Sequence, residues 1–139
     1  MNIEKSKELI PKFKKLQKEQ GHIAEENFKE ISVEFGITVG EAYSSATFYS
    51  FLSTKPLGKN IIRICKDLPC DLKDYKEVLD AIKNKLGIDI GKTTKDKKFS
   101  LVLTSCIGAC DSAPSMMIND TIYGNLTPEK VLKILKNLE

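Results

Sequence analysis

Apolar residues return every three or four positions over residues 4–20, where Leu9, Ile10, Phe13 and Leu16 stand among lysines and glutamates. That is the period of an amphipathic helix, and Gly21 ends it. A second helical stretch covers 24–35, entered from Ile23, with Phe28, Ile31, Val33 and Phe35 apolar and Gly36 as its stop. Thr38 with Glu41 three residues on has the form of a capping box. It opens a third helix that carries Ala42, Tyr43, Ala46 and Phe48 and runs to Phe51. Short connections between three such helices predict a small bundle.

The pattern changes after Lys55-Pro56-Leu57-Gly58, where Pro and Gly mark a break. Asn60–Cys65 is rich in β-branched residues and reads as a strand. Residues 73–86 return to helical spacing through Tyr75, Val78, Leu79, Ile82 and Leu86, closed by Gly87. A polar loop follows, then a strand over 99–103, a third strand over 116–118, a turn at Asn119-Asp120 and a fourth strand over 121–123. Thr127-Pro128-Glu129 starts a last helix, with Thr as cap, Pro in the first turn and an acid beside the positive end of the dipole. The expected fold class is α+β or α/β: a three-helix bundle over residues 1–55, then a β-α-β-β-α sandwich of thioredoxin type over 56–139.

Composition narrows the function classes. The chain has 139 residues and a formal charge of +3, from 22 Lys and Arg against 19 Asp and Glu. The lysines lie on helical faces among acids, which reads as solvated surface and not as a nucleic-acid site. The most basic run, Lys92–Lys98, reads as an exposed loop. No apolar run approaches the roughly 18–20 residues that span a bilayer, and the charged start Met1–Glu8 lacks the apolar core of a signal peptide. A cytoplasmic protein without direct membrane insertion is expected.

The candidate chemistry lies in the four cysteines. Cys65-Lys-Asp-Leu-Pro-Cys70 and Cys106-Ile-Gly-Ala-Cys110 form two pairs, each just past a predicted strand. If those strands end at one sheet edge, four thiolates can share one cluster, two per iron. Soft anionic thiolate is the ligand a sulfide-bridged ferric core takes. Gly108 allows a close approach, and Pro69 and Pro114 stiffen the loops. Three other readings stay open: structural zinc, whose usual spacing is a repeated C-x₂-C; two disulfides, which a cytoplasmic location disfavours; and cysteines that only pack. No C-x-x-C redox site is present.

At these residues the chain resembles a known family, the thioredoxin-like [2Fe–2S] subunit of NADH dehydrogenases (the 24 kDa subunit of complex I and its bacterial counterpart). The same module is found in NAD(P)-linked, often electron-bifurcating, [FeFe]-hydrogenases and in formate dehydrogenases. The stretches that carry the resemblance are Ala46–Ser50, Pro56–Lys59, Ile62–Cys65, Cys70, Cys106–Cys110, Ala113-Pro114, Ile118–Asp120 and Leu126–Glu129. It implies a helical N-terminal part before a thioredoxin-like ferredoxin domain, and Cys65, Cys70, Cys106 and Cys110 as cluster ligands. It implies one-electron transfer as a small subunit of an NAD(H)-linked oxidoreductase, beside a flavoprotein subunit that binds FMN and NADH and with further iron–sulfur or hydrogenase subunits. The hydrogenase type is favoured slightly over the respiratory type. A catalytic site of the chain's own is not expected. The alternatives are a freestanding thioredoxin-like ferredoxin dimer and a structural zinc-binding subunit.

Other residues carry weaker signals. Asp67 and Asp111 flank ligands and would lower a cluster's potential by their charge, or simply face solvent. His22 is the sole histidine and reads as a surface or helix-start residue, since Rieske ligation needs two. One of Met116 and Met117 is expected in the core and the other near the cluster. Phe48, Tyr49 and Phe51 read as core, with Tyr49 or Phe51 as interface candidates. Tyr123 and Asn125 read as strand and turn.

Overall fold

The computed structural model describes residues 3–139, with side chains from Lys7 onward. The chain divides into two compact units, Met1–Leu57 and Gly58–Glu139.

The first unit is three helices: α1 (Ile3–Gln20), α2 (Glu25–Phe35) and α3 (Val39–Phe48). Their apolar stripes bury Leu9, Phe13, Leu16, Ile23, Phe28, Ile31, Phe35, Ala42 and Ala46 in one core. The capping box at α3 is formed: Glu41 N–H donates to Thr38 Oγ1 at 3.1 Å and Thr38 N–H donates to Glu41 Oε2 at 2.8 Å. At α2 the buried Asn27 takes the Ala24 N–H on its side chain at 2.9 Å, and Gly36 closes the helix with a positive φ of 66°. The chain after α3 is tied back to α1, since Gln17 accepts from Ser53 N–H at 2.6 Å and donates to the Phe51 carbonyl at 2.8 Å.

Two expectations for this unit are corrected. α3 stops at Phe48, where Tyr49 turns to extended backbone and its N–H bonds the Ala46 carbonyl. Phe48 is 81% exposed, Tyr49 and Phe51 are exposed as well, and none of the three is a core residue; α3 docks through the small Ala42 and Ala46, one turn apart, and Phe48 lies two positions off that stripe. Val33 is likewise exposed, because Ile31 and Phe35 hold the inward face of α2.

The second unit is a five-stranded sheet, with β1 (Asn60–Cys65), β2 (Lys92–Thr93), β3 (Phe99–Thr104), β4 (Met116–Ile118) and β5 (Thr121–Tyr123) in the order β2-β3-β1-β4-β5. β1 runs parallel to β3 and antiparallel to β4. Its helices are the short α4 (Leu68–Asp71), α5 (Tyr75–Leu86) and α6 (Pro128–Leu138). Side chains alternate across a strand. Ile62 and Ile64 of β1, Phe99 and Leu101 of β3, and Met116 and Ile118 of β4 therefore share one face, where they pack with Val78, Leu79 and Ile82 of α5 and Val131 and Leu135 of α6. The parallel β1–β3 pair needs a crossover, and α5 is that crossover. Two elements were not expected: β2, two residues of the polar loop that pair with Leu101 and Ser100, and α4, which lies inside the first cysteine loop.

Candidate metal centre

β1 and β3 end together, with Cys65 in register with Thr104. Parallel pairing thus brings both cysteine loops to one sheet edge. Cys65 closes β1 and is buried. Cys70 sits in α4, fully buried, with its N–H donating to the Asp67 carbonyl at 2.9 Å. Cys106 follows β3 after Ser105, and Cys110 opens a 3-10 turn, Cys110–Ser112; both are exposed.

The thiols stand as two pairs. Cys65 and Cys70 share a hydrogen bond, and the sulfurs of Cys106 and Cys110 lie 3.2 Å apart. The pairs also sense each other, because charge on Cys70 and on Asp67 acts on Cys110. Among the described residues no group of three or more His, Cys, Asp or Glu is set for a single ion. All four cysteines are free thiols, so no disulfide is formed.

The groups around the sulfurs are donors. Backbone N–H groups of Asp67 and Ile107 reach Cys65 Sγ, and Gly108 N–H donates to Cys106 Sγ at 3.3 Å. Gly108 has φ of 82°, a conformation a bare α-carbon takes without strain. The buried Ser115 hydroxyl lies 3.6 Å from Cys70 Sγ. Burial, above all, pushes the Cys65 thiol up to about 11, opposed by the two N–H donors. The Cys110 thiol is raised first by its hydrogen bond with Cys106, then by lost solvent and by negative charge on Cys106, Cys70 and Asp67. Metal binds thiolate, so uptake at a thiol site releases protons. Soft donors in two pairs, with N–H groups aimed at sulfur, fit a two-iron, sulfide-bridged core.

The other flagged residues fall elsewhere. His22 Nδ1 lies 3.3 Å from the Gln20 carbonyl in the helical unit. Met116 is in the sheet core, and Met117 is half-buried opposite Arg63. Asp67 is half-buried and its Oδ2 accepts the Cys106 N–H at 2.7 Å, a bond across 39 residues that no local pattern signals. Gly124, Asn125 and Ser115 also support the loops, and nothing in the sequence marks them for it.

A family model described as thioredoxin-like [2Fe–2S] ferredoxin matches residues 1–139. The chain belongs to this family. Among its relatives is a subunit of NADH-quinone oxidoreductase from Buchnera aphidicola subsp. Acyrthosiphon pisum (strain APS), 39% identical over 128 residues, which are 92% of this chain and 79% of that one. The NADH-quinone oxidoreductase counterpart from Escherichia coli (strain K12) is 35% identical over 127 residues, 91% of this chain and 76% of that one. A crystal structure of an NAD+-reducing [NiFe]-hydrogenase, air-oxidised, superimposes with a TM-score of 0.78 at 20% identity, over 94% of this chain and 22% of the other. That likeness shows a shared fold. This thioredoxin-like ferredoxin is thus related to redox subunits of multi-subunit oxidoreductases, and its family's cofactor is a [2Fe–2S] cluster. No described helix is long and apolar enough to cross a membrane.

Proposed function

We propose that Cys65, Cys70, Cys106 and Cys110 hold one [2Fe–2S] cluster, two thiolates per iron, and that the chain passes single electrons as a small subunit of an NAD(H)-linked oxidoreductase complex. The observation that carries this reading is the meeting of two thiol pairs at one sheet edge, fixed by the parallel register of Cys65 with Thr104. When bound, such a cluster accepts and returns one electron at a time. The chain's part is to bury Cys65 and Cys70, leave Cys106 and Cys110 at the surface, and aim the N–H groups of Asp67, Ile107 and Gly108 at sulfur. N–H donors and burial are the levers that set a cluster's potential.

In this reading FMN and NADH lie in a partner flavoprotein subunit, since the chain has no glycine-rich nucleotide loop. The helical unit 1–57 would serve docking, through the exposed aromatic pair Phe48 and Tyr49, whose ring centroids lie 5.1 Å apart. Relatives at 35% and 39% identity support a complex of the NADH-quinone oxidoreductase type. The hydrogenase type, with electron bifurcation as its narrower form, has only the likeness of fold behind it. A cytoplasmic location and the lack of a catalytic site of the chain's own belong to the same proposal.

The test is anaerobic purification of the chain from its host, with iron, zinc and sulfide analysis and EPR after dithionite reduction. About two irons per chain and a spin-half signal are expected, together with a co-purifying flavoprotein. Zinc without iron would overturn the reading in favour of a structural metal subunit. A loaded chain that purifies alone would leave a freestanding ferredoxin.

A further inference from the structure

The sheet brings the two cysteine loops together and then releases them. The last ladder bond runs from Lys66 N–H to the Thr104 carbonyl at 3.1 Å. Beyond it the loops leave the sheet, and one residue spans them. Asp67 Oδ2 accepts the Cys106 N–H at 2.7 Å. The Asp67 carbonyl accepts the N–H groups of Cys70, at 2.9 Å, and Asp71, at 3.0 Å, and so starts α4. The Asp67 N–H donates to Cys65 Sγ, and Ile107, next to Cys106, donates to the same sulfur. Three different groups of Asp67 therefore touch three of the four cysteines. Its carboxylate is the side-chain group that holds the second loop at Cys106, and a bond to an ionised acceptor is about twice as strong as a neutral one.

We propose that Asp67 is a positioning residue that sets the spacing between the Cys65/Cys70 and Cys106/Cys110 pairs, and so governs how firmly the site retains its metal. This rests on the cluster reading above and names a residue outside the ligand set. Its charge is a separate matter: the exposed Asp111, beside Cys110, carries the same charge and does not accept the Cys106 N–H.

The test uses the full chain, loaded anaerobically with iron and sulfide, as the natural protein and as Asp67→Ala, Asp67→Asn and Asp111→Asn. Each is given excess chelator, and cluster loss is followed by absorbance. Asp67→Ala should lose its cluster at least about tenfold faster, the scale of a lost charge-assisted hydrogen bond. Asp67→Asn keeps an acceptor oxygen and should stay within about threefold of the natural rate. Both Asn variants should raise the reduction potential, since each removes one negative charge, while Asp111→Asn keeps the natural rate of loss. Natural stability in Asp67→Ala, or equal loss in Asp67→Ala and Asp67→Asn, would overturn the proposal. Hydrogen exchange on the cluster-free chain gives a second arm. The Cys106 amide should exchange at least about tenfold faster in Asp67→Ala than in the natural chain, and equal exchange would overturn the tie. A natural chain that takes up no iron would sink the cluster reading, and the exchange arm would still decide the role of Asp67.

Discussion

Gly124 presses its bare α-carbon on Ser112, so closely that a Cβ built there would fall on the Ser112 side chain and carbonyl oxygen. The next residue makes the contact a clamp: Asn125 N–H donates to the Ser112 carbonyl at 2.6 Å, and Leu126 N–H donates to the Pro114 carbonyl at 3.1 Å. The turn that begins at Cys110 is thus held from behind by the segment that joins β5 to α6. Gly124→Ala should cost about 1–3 kcal/mol, as overpacking does, and should speed loss of metal. Thermal unfolding and chelator release check this, and an unchanged melting temperature would refute it.

Ser100 is a buried hub in β3. Its hydroxyl accepts the Gly58 N–H at 2.7 Å and bonds Thr93 Oγ1 at 2.7 Å. Ser100→Ala leaves the Gly58 donor buried and unsatisfied, which costs about 1–3 kcal/mol. Urea denaturation should show that loss. A change under about 0.5 kcal/mol, the scale of ordinary surface substitutions, would mean water reaches Gly58.

At the head of α3, Thr38→Ala should cost about 1 kcal/mol, the usual worth of such a cap. The Glu41 carboxyl lies below its ordinary range because the Thr38 backbone N–H, then the Thr38 hydroxyl, donate to it. A depressed carboxylate contributes stability above its unfolded-state value and loses it as pH falls through the folded one. The gap in melting temperature between the natural chain and Thr38→Ala should therefore narrow on acidification from neutrality to below the ordinary glutamate value of about 4.3. A gap that widens in acid would refute the box as its source.

Cys106→Ser removes the exposed thiol that is one of the four proposed ligands. Iron content should fall well below that of the natural chain, and the helical signal of residues 3–48 should persist in far-UV circular dichroism, since their core contains no cysteine. Full iron with an unchanged spectrum would contradict the ligand assignment.

Phe48→Ser should leave the stability of the isolated chain within about 0.5 kcal/mol, because the ring is mostly solvated. The yield of co-purifying subunits should drop. Normal recovery of the complex would place docking elsewhere.

Periodicity and end signals were the legible part of the sequence. Thr38 and Glu41 announced α3, and Thr127-Pro128-Glu129 announced α6, whose Thr127 hydroxyl accepts the Lys130 N–H at 3.2 Å. The strand before each cysteine pair was visible, the first as a β-branched run and the second as a short apolar one, and their meeting followed on the condition that both end at one edge. What stayed hidden depends on contacts between distant segments. β2 is two polar residues that are a strand only because β3 offers a partner. Phe48 has the hydrophobicity of a core residue, and only the docking of Ala42 and Ala46 decides that it faces out. Asp67 looks like any loop acid until Cys106 is folded against it, and Gly124 like any turn glycine until Ser112 arrives.

The parallel pairing of Cys65 with Thr104 also imposes an order in time. A chain made from its N-terminus completes α1, α2 and α3, with their short-range contacts, while the sheet still lacks most of its strands. Pairings that join distant residues form late, because loop closure precedes any gain from the contact. Cys65 and Cys70 leave the ribosome as a half-set, with no second pair to meet until Cys110 has followed. On the proposed ligand set, metal delivered too early would find only two of the four thiols, and loading would follow the passage of Cys110 and the zipping of β3 onto β1.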